Sequence, residues 1–197
     1  MNLRTMSTSQ ILFDSEGGTV EPESPFTFWN KLLRYLWGWV WLLFFRPSPK
    51  LAFAWRRCLL RLFGAQIGPG ALTYPSVKIW APWNLSMAAN SCMGEHVDCY
   101  SAAPVSLGVW SVVSQYSILC TASHDYEQDG MPGFQKPITI GNYAWVAADV
   151  YLGPGVAVGD GAVVGARSSV YKKVPEWEVV GGNPAKRIGS RTWRPKQ

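Results

Sequence analysis

Aliphatic residues recur at every sixth position between residues 138 and 175. A period of six fits neither an amphipathic helix, with about 3.6 residues per turn, nor one long strand, with a period of about 2. It fits a coil made of short strands and tight corners, with three hexads closing each turn. The pattern therefore predicts an all-β solenoid, and a β-sandwich with Gly-rich turns is the alternative. The hexads of this block begin at Ile140, Val146, Leu152, Val158, Val164 and Val170.

The same phase extends toward the N-terminus, although less regularly. It slips near residues 103–104 and disappears between Thr121 and Ile138, so residues 125–137 are expected to leave the coil as an excursion loop. The predicted solenoid therefore spans residues 65–175. The earlier hexads are expected to begin at Ile67, Thr73, Ile79, Leu85, Ser91 and Val97, and after the slip at Leu107, Val113 and Leu119.

The segment before the repeats has a different pattern. Residues 1–24 are polar and predict a flexible tail, whereas residues 25–64 are rich in Trp, Phe, Leu and Arg. Two helices are predicted there, separated by Arg46-Pro47-Ser48-Pro49. The uninterrupted apolar run over 35–45 is shorter than the roughly 20 residues that a membrane-spanning helix needs. Trp-rich faces beside basic residues favour contact of residues 26–63 with a membrane surface. Packing against the solenoid or a neighbouring subunit is the alternative.

Charge and cysteine content narrow the function classes. The net charge is +5, with basic residues concentrated in 46–61 and 167–196, and no nucleic-acid-binding motif is present. This distribution favours a phosphate-bearing ligand or an anionic membrane over nucleic acid. The four cysteines lack metal-ligand spacing, which predicts a reduced cytoplasmic environment and no catalytic metal. Residues 176–197 predict a last strand, over Glu176–Val180, followed by a basic tail.

The main candidate for chemistry is His124, at the base of the excursion loop. Imidazole is the side chain whose ordinary pKa suits proton abstraction near neutral pH. The other histidine, His96, is expected to be a corner residue. Ser123, His124 and Asp125 are adjacent in sequence, whereas the members of a hydrolase triad converge from separate positions, and no G-x-S-x-G motif is present.

Two motifs, together with the hexads, resemble those of the hexapeptide-repeat acyltransferases, including the galactoside and maltose O-acetyltransferases. They are Thr121-x-x-His124 and the Gly182–Lys186 sequence GNPAK. The segments Leu43-x-x-Arg46-Pro47-Ser48-Pro49 and Trp55-Arg56-Arg57 are similar to the acetyltransferases of colanic-acid-type exopolysaccharide synthesis, and Ile79-Trp80-Ala81-Pro82-Trp83-Asn84-Leu85 strengthens that narrower similarity. The resemblance implies a left-handed parallel β-helix, a homotrimer, and acetyl-CoA bound as co-substrate between subunits.

The resemblance also implies roles for individual residues. His124 would be the general base for direct transfer, and Asp98 would contact the acceptor. Trp145, Ala148, Ala166, Tyr171, Lys172 and Lys186 would bind acetyl-CoA.

We therefore expect an O-acetyltransferase that acts on a sugar hydroxyl of an exopolysaccharide or lipid-linked saccharide precursor. It would lie in the cytoplasm, peripherally at the inner face of the membrane. Two alternatives stay open: an acetyltransferase for a free small molecule, such as a sugar, an antibiotic or serine, and a non-catalytic solenoid scaffold. A scaffold of the carbonic-anhydrase-like kind would need more histidines than the two present.

Overall fold

The computed structural model of the 197-residue chain describes residues 12–13, 19–20 and 27–195. The tail predicted over residues 1–24 therefore lies largely outside the described residues. Within it, the short strands β1 (Leu12–Phe13) and β2 (Thr19–Val20) pair in antiparallel fashion.

Two helices precede the solenoid, as the sequence predicts. Helix α1 (Phe28–Val40) begins after Thr27, whose side chain accepts a hydrogen bond from the Asn30 N–H, and it continues into a π-helical turn, Trp41–Phe45. Helix α2 (Phe53–Leu62) follows the Pro-containing connection. The Ser and Thr side chains that cap helices act by satisfying such free N–H groups.

Helix α1 is fastened to the first coil by its indole groups. Trp37 and Trp41 donate Nε1–H hydrogen bonds of 2.7 and 2.8 Å to the backbone carbonyls of Ile79 and Val77. These carbonyls belong to or flank the outermost strand of a sheet. A helix that covers an exposed sheet edge protects it from pairing with other chains.

Residues 66–170 form five stacked coils of three short strands each. The first coil contains β3 (Gln66–Ile67), β4 (Leu72–Thr73) and β5 (Lys78–Ile79), and the second contains β6 (Leu85–Met87), β7 (Cys92–Met93) and β8 (Asp98–Tyr100). The third contains β9 (Val105–Leu107), β10 (Val112–Val113) and β11 (Ile118–Cys120), and it is followed by a hairpin of β12 (Ala122–His124) and β13 (Gly133–Gln135). The fourth contains β14 (Ile138–Ile140), β15 (Trp145–Val146) and β16 (Tyr151–Leu152), and the fifth β17 (Ala157–Val158), β18 (Val163–Val164) and β19 (Ser169–Val170).

Stacking of the coils produces three parallel sheets, one on each face of a prism. The first face contains β3, β6, β9, β14 and β17, the second β4, β7, β10, β15 and β18, and the third β5, β8, β11, β16 and β19. Side chains that point inward form one continuous core. The predicted solenoid of hexapeptide repeats, with an N-terminal helical segment and one excursion, is thus confirmed.

The predicted phase of the second coil is wrong by two residues. Met87, Met93 and Cys99 occupy the positions equivalent to the later hexad heads, rather than Leu85, Ser91 and Val97. All six side chains are buried, because each hexad directs both its head and the residue two positions earlier inward. An aliphatic residue two positions before the head, such as Leu85, is therefore easily mistaken for the head when only the sequence pattern is considered. The solenoid consequently has two eight-residue intervals, Ile79–Met87 and Cys99–Leu107.

The C-terminal end of the chain is more ordered than the predicted basic tail. Strand β20 (Glu178–Gly181) begins two residues later than predicted and continues the second face. Strand β21 (Lys186–Ser190) then turns back and pairs with it in antiparallel fashion, so the predicted tail is wrong over these residues. The cause is the turn at 182–185, which reverses the chain after β20.

Candidate active site

His124 is the last residue of β12 and is exposed on the excursion hairpin. Its Nδ1 lies 2.8 Å from the Met131 carbonyl oxygen. A carbonyl oxygen can only accept, so Nδ1 must carry the proton and donate it. The lone pair of the neutral imidazole is therefore on Nε2, which can accept a proton from another molecule.

Asp125 stabilises the hairpin turn. Its carboxylate accepts hydrogen bonds from the Glu127 N–H and from Gln128 Nε2, and its own N–H donates to the Pro132 carbonyl. The group that orients the imidazole is thus the Met131 carbonyl, and the three consecutive residues Ser123, His124 and Asp125 do not form the arrangement of a hydrolase triad.

Asp98 is half-buried on the third face and lines a groove of about 450 Å³. On this face it is the register partner of Lys78 on one side and of Ile118 on the other. The groove runs between the third face and helix α1 with its π-helical turn. Its lining residues are Arg34, Trp37, Gly38, Trp41, Lys78, Ile79, Trp80, Asp98 and Tyr100.

Three of the predicted acetyl-CoA residues lie together on the second face and at its corner with the third face. Trp145 is exposed on β15, and its Nε1–H donates a 3.0 Å hydrogen bond to the Ser114 hydroxyl. Ala148 lies in the corner after β15, and Ala166 in the equivalent corner one coil later, as the register of β15 and β18 requires. The small side chains leave room beside the backbone for an extended ligand.

Tyr171 and Lys172 are exposed at a different corner, between the third and first faces. The Tyr171 ring lies over Gly153, where an added Cβ would approach Tyr171 Cδ1 to 3.2 Å, and its centroid is 5.8 Å from that of Tyr151. Burial, with a hydrogen bond to the Cys120 thiol, raises the pKa of the Tyr151 hydroxyl to about 12.

Lys186 lies on β21, opposite Gly181 of β20. The turn before it is held against the third face, because the Ala185 N–H donates a 2.8 Å hydrogen bond to the Ser169 carbonyl. This turn places Lys186 at the end of the solenoid beyond the fifth coil.

Most of the predicted site residues fall into two groups within one chain, whereas Asp98 lies in the groove and Lys186 lies beyond the fifth coil. His124 and Tyr171 lie on the edge between the third and first faces, whereas Trp145, Ala148 and Ala166 lie on the opposite side of the third face. In the described part of the chain, no three His, Cys, Asp or Glu side chains are grouped closely enough to hold a metal ion.

The groove was missed by the sequence analysis. Lys78 and Asp98 are 20 residues apart, not 18, because the first eight-residue interval lies between them. If the six-residue period is continued without this longer interval, Lys78 and Asp98 do not come into register. The contribution of Arg34 could not be found from the repeat at all, since it comes from helix α1.

Comparison with known proteins identifies the family. The sequence model of the family described as "Bacterial transferase hexapeptide (six repeats)" matches residues 137–172. WcaF of Escherichia coli K12, which is named for an acetyltransferase role in colanic acid biosynthesis, is 44% identical over 162 residues, or 82% of this chain and 89% of WcaF. The chain belongs to the hexapeptide-repeat acetyltransferases. It is therefore an acyltransferase that uses acetyl-CoA as co-substrate, and the alternative of a non-catalytic scaffold is wrong.

Two further relatives of this family bear on the ligands. A hexapeptide-repeat acetyltransferase from Vibrio cholerae, solved in complex with acetyl-coenzyme A, has a TM-score of 0.74 and 26% identity, with 83% of this chain and 89% of that one covered. A chloramphenicol acetyltransferase of Agrobacterium fabrum is 50% identical, but over only 26% of this chain and 25% of its own length. The similarity to the antibiotic-modifying enzyme is thus confined to a short part of the chain.

Proposed function

We propose that this acetyltransferase transfers an acetyl group from acetyl-CoA to a sugar hydroxyl of an exopolysaccharide or lipid-linked saccharide precursor, with His124 as the general base. The observation that carries the proposal is the hydrogen bond from His124 Nδ1 to the Met131 carbonyl, because it leaves the Nε2 lone pair available. The 44% identity to WcaF, which is named for colanic acid biosynthesis, supports a polysaccharide precursor as the acceptor.

In the proposed reaction His124 acts twice. Its Nε2 accepts the proton of the acceptor hydroxyl as that oxygen attacks the thioester carbonyl. When the C–S bond breaks, the imidazolium returns the proton to the departing CoA thiolate, so His124 ends the reaction in its starting form. General acid–base catalysis of this kind contributes about 10²- to 10⁴-fold to a rate.

The substitution His124→Ala tests this role. We expect kcat for saccharide-dependent CoA release to fall by about 10²- to 10⁴-fold, with the Kd for acetyl-CoA unchanged when it is measured by calorimetry. The exposed His96 gives a matched control, and His96→Ala should retain activity. Turnover of His124→Ala within threefold of the unmodified enzyme would remove His124 from the mechanism.

We further propose that a homotrimer completes each site from two subunits. His124 and one proposed acetyl-CoA residue, Tyr171, lie on one side of the third face, and the proposed acetyl-CoA residues Trp145, Ala148 and Ala166 lie on the other. A second copy of the chain can supply the missing group, and cyclic assemblies of this type are common among homo-oligomers.

Mixing two inactive variants tests this assembly. Ala166→Trp should block acetyl-CoA binding, and His124→Ala should remove the base. After unfolding and refolding together, hybrid trimers would contain sites with both intact residues and should regain activity. Light scattering should give the mass of three chains. A monomer, or a mixture that stays inactive although hybrids form, would contradict the proposal.

A third part of the proposal is that residues 27–63 contact an anionic membrane surface. Many of their large apolar side chains are exposed, and in this range Asp and Glu are absent while seven residues are basic. Amphipathic segments rich in Trp and basic residues bind such interfaces. None of the helices among the described residues is long and apolar enough to cross a bilayer. The exposed apolar residues of this surface are Phe28, Trp29, Leu33, Tyr35, Leu36, Trp39, Leu42, Leu43, Phe44, Leu51, Trp55 and Leu62.

Vesicle sedimentation tests the membrane contact. The protein should sediment with vesicles of phosphatidylglycerol and phosphatidylcholine, and less with phosphatidylcholine alone or at high salt. The double variant Trp39→Ser and Leu43→Ser should lose this binding. Trp110→Ser is the matched control, because Trp110 is equally exposed but lies on the solenoid. Equal loss in both variants, or no binding by the unmodified protein, would contradict the proposal.

A further inference from the structure

Four residues at the corner between the second and third faces stack along the solenoid and form a corner ladder. From the second coil to the fifth, its members are Glu95, Gln115, Ala148 and Ala166. The backbone carbonyls of the first three accept hydrogen bonds of 2.9–3.0 Å from the next coil, donated in turn by Tyr116, Asp149 and Arg167. The corner ladder therefore changes from two small side chains to two long polar ones between the fourth and third coils.

The small part of the corner ladder is short. Neighbouring strands of a sheet lie about 4.8 Å apart, so about 10 Å separate the level of Ala166 from that of Gln115. Gln115 is exposed at its corner, where its side chain stands in line with the two alanines. An extended ligand that lies along Ala166 and Ala148 would meet Gln115 next.

A charged contact follows Gln115 in the corner ladder. Glu95 forms an ion pair of 2.9 Å with Lys50, which lies in the connection between α1 and α2. The hydrogen bond to Lys50 lowers the pKa of the Glu95 carboxyl, so this group is charged at neutral pH. An alkyl chain that passed Gln115 would have to displace water from this ion pair, which is unfavourable.

Charge indicates the direction of acetyl-CoA along the corner ladder. Beyond the fifth coil lies Lys186, which is exposed and takes part in none of the ion pairs of the described residues. Arg167 and Asp149, beside the two alanines, pair with each other at 3.4 Å and add no net charge. The phosphates of CoA are therefore favoured at the C-terminal end, and the thioester points toward the third coil.

The excursion hairpin indicates the level of the reacting carbonyl. It leaves the chain between the third coil, which contains Gln115, and the fourth, which contains Ala148. A cyclic trimer whose axis is parallel to the solenoids keeps equivalent coils of its chains at one level. His124 of a neighbouring chain would then lie level with the boundary between Ala148 and Gln115. A thioester carbonyl at this level has its acyl chain directed toward Gln115.

We propose that the Gln115 side chain closes the acyl end of the acetyl-CoA site and thereby selects acetyl over longer acyl groups. This inference rests on the proposed function, since it uses the proposed acetyl-CoA residues and the trimer. The Trp145 indole adds a wall beside this end, because its Nε1–H donates to the hydroxyl of Ser114, the residue before Gln115. Pockets of this kind discriminate by about 10- to 200-fold for each methylene group.

The first experiment compares acetyl-CoA with butyryl-CoA by calorimetry, without an acceptor. The unmodified protein should bind acetyl-CoA more tightly by about tenfold or more. Gln115→Ala continues the small part of the corner ladder by one coil, and tighter binding of butyryl-CoA should reduce the ratio of the two Kd values by about tenfold. Gln66→Ala is the matched control, because Gln66 is also exposed but lies on the first face, and it should leave the ratio unchanged.

A second variant tests whether size is the cause. Gln115→Met removes the amide but keeps a side chain of similar volume, so the ratio should stay within about threefold of that of the unmodified protein. Circular dichroism and thermal melting check that each variant is folded. Equal admission of butyryl-CoA by Gln115→Met and Gln115→Ala would overturn closure of the site by the size of this side chain.

The outcomes separate the inference from the proposed function, because the Kd values depend on neither an acceptor nor a base. If Gln115→Ala admits butyryl-CoA but no saccharide is acetylated, the proposed function fails and the role of Gln115 stands. If saccharides are acetylated and the ratio is the same in Gln115→Ala and the unmodified protein, the inference is overturned. Equal binding of the two thioesters by the unmodified protein would overturn it as well.

Discussion

Arg56 attaches the helical segment to the first coil, and its replacement by methionine should destabilise the protein. Its side chain is fully buried and donates four hydrogen bonds. Nε donates to the Thr73 carbonyl at 2.6 Å and Nη2 to the Lys50 carbonyl at 2.6 Å, and Nη1 donates to the Ser48 hydroxyl and the Pro49 carbonyl, both at 2.8 Å. Met fills a similar volume but donates none of these bonds.

The expected loss of stability follows from the hydrogen-bond acceptors that Arg56→Met leaves without a donor. A buried acceptor without a partner costs about 1–3 kcal/mol. Pro49 and Lys50 are exposed residues, so their carbonyls can regain water, and Ser48 keeps its bond to the Phe45 carbonyl. The loss at Thr73 remains in full. We therefore expect Arg56→Met to lower the free energy of unfolding by about 2–3 kcal/mol, the upper part of the range for hydrogen bonds made by a charged group.

Arg57 gives the matched control on the same helix. It is half-buried and donates one hydrogen bond, of 3.1 Å, to the Ala71 carbonyl, so Arg57→Met should cost less than about 1 kcal/mol. Arg56→Lys should fall between the two, because an ammonium group cannot reproduce the planar fork.

Urea unfolding followed by tryptophan fluorescence measures these changes, because Trp37 and Trp41 report on the helical segment. Hydrogen exchange identifies the part of the chain that is destabilised. In Arg56→Met, the protection of backbone amides should fall in α2 and the preceding turn before it falls in the solenoid. A loss within 1 kcal/mol for Arg56→Met, or an equal loss for Arg57→Met, would refute the reasoning.

Three further outcomes are expected. Trp145→Phe removes the bond to the Ser114 hydroxyl and should raise KM for acetyl-CoA severalfold with kcat little changed, and an unchanged KM would contradict a role in binding. Gly161→Ala should lower the free energy of unfolding by about 2 kcal/mol in urea titrations, because φ is +64° and the new Cβ would meet the Trp177 ring. Burial raises the pKa of the Cys99 thiol to about 12, so maleimide should label the exposed thiol of α2 at pH 8 and leave Cys99 unmodified until the protein unfolds.

The solenoid could be predicted from the sequence because the hexad pattern is local and is repeated along the chain. In the block from Ile140 to Val170 every head is buried as predicted. The second coil was misassigned because Leu85 and Val97 are aliphatic and buried at the position two residues before the head. Period alone cannot separate these two inward positions when both are apolar.

The candidate site also contains some features that could be predicted from the sequence and others that could not. His124 could be selected because it stands where the period stops, and its exposure on a hairpin agrees with that prediction. The tautomer could not be predicted, since it depends on Met131, whose carbonyl approaches only when the hairpin forms. The groove depends on contacts across more than 30 residues, such as Trp37 with Ile79, which no short-range pattern contains.

The departures from the six-residue period lie one above another at the same corner of the prism. Both eight-residue intervals and the excursion hairpin leave the coil between the third and first faces, in three successive coils. Hydrogen bonds join these corners: the Ala81 N–H donates to the Ser101 hydroxyl at 3.0 Å, and the Ala103 N–H donates to the Thr121 hydroxyl at 3.0 Å. The corner of the first coil begins beside Trp80 in the groove, and the last begins at Thr121, three residues before His124. Because each corner is hydrogen-bonded to the next, the irregular hexads form a continuous column between the groove and the hairpin.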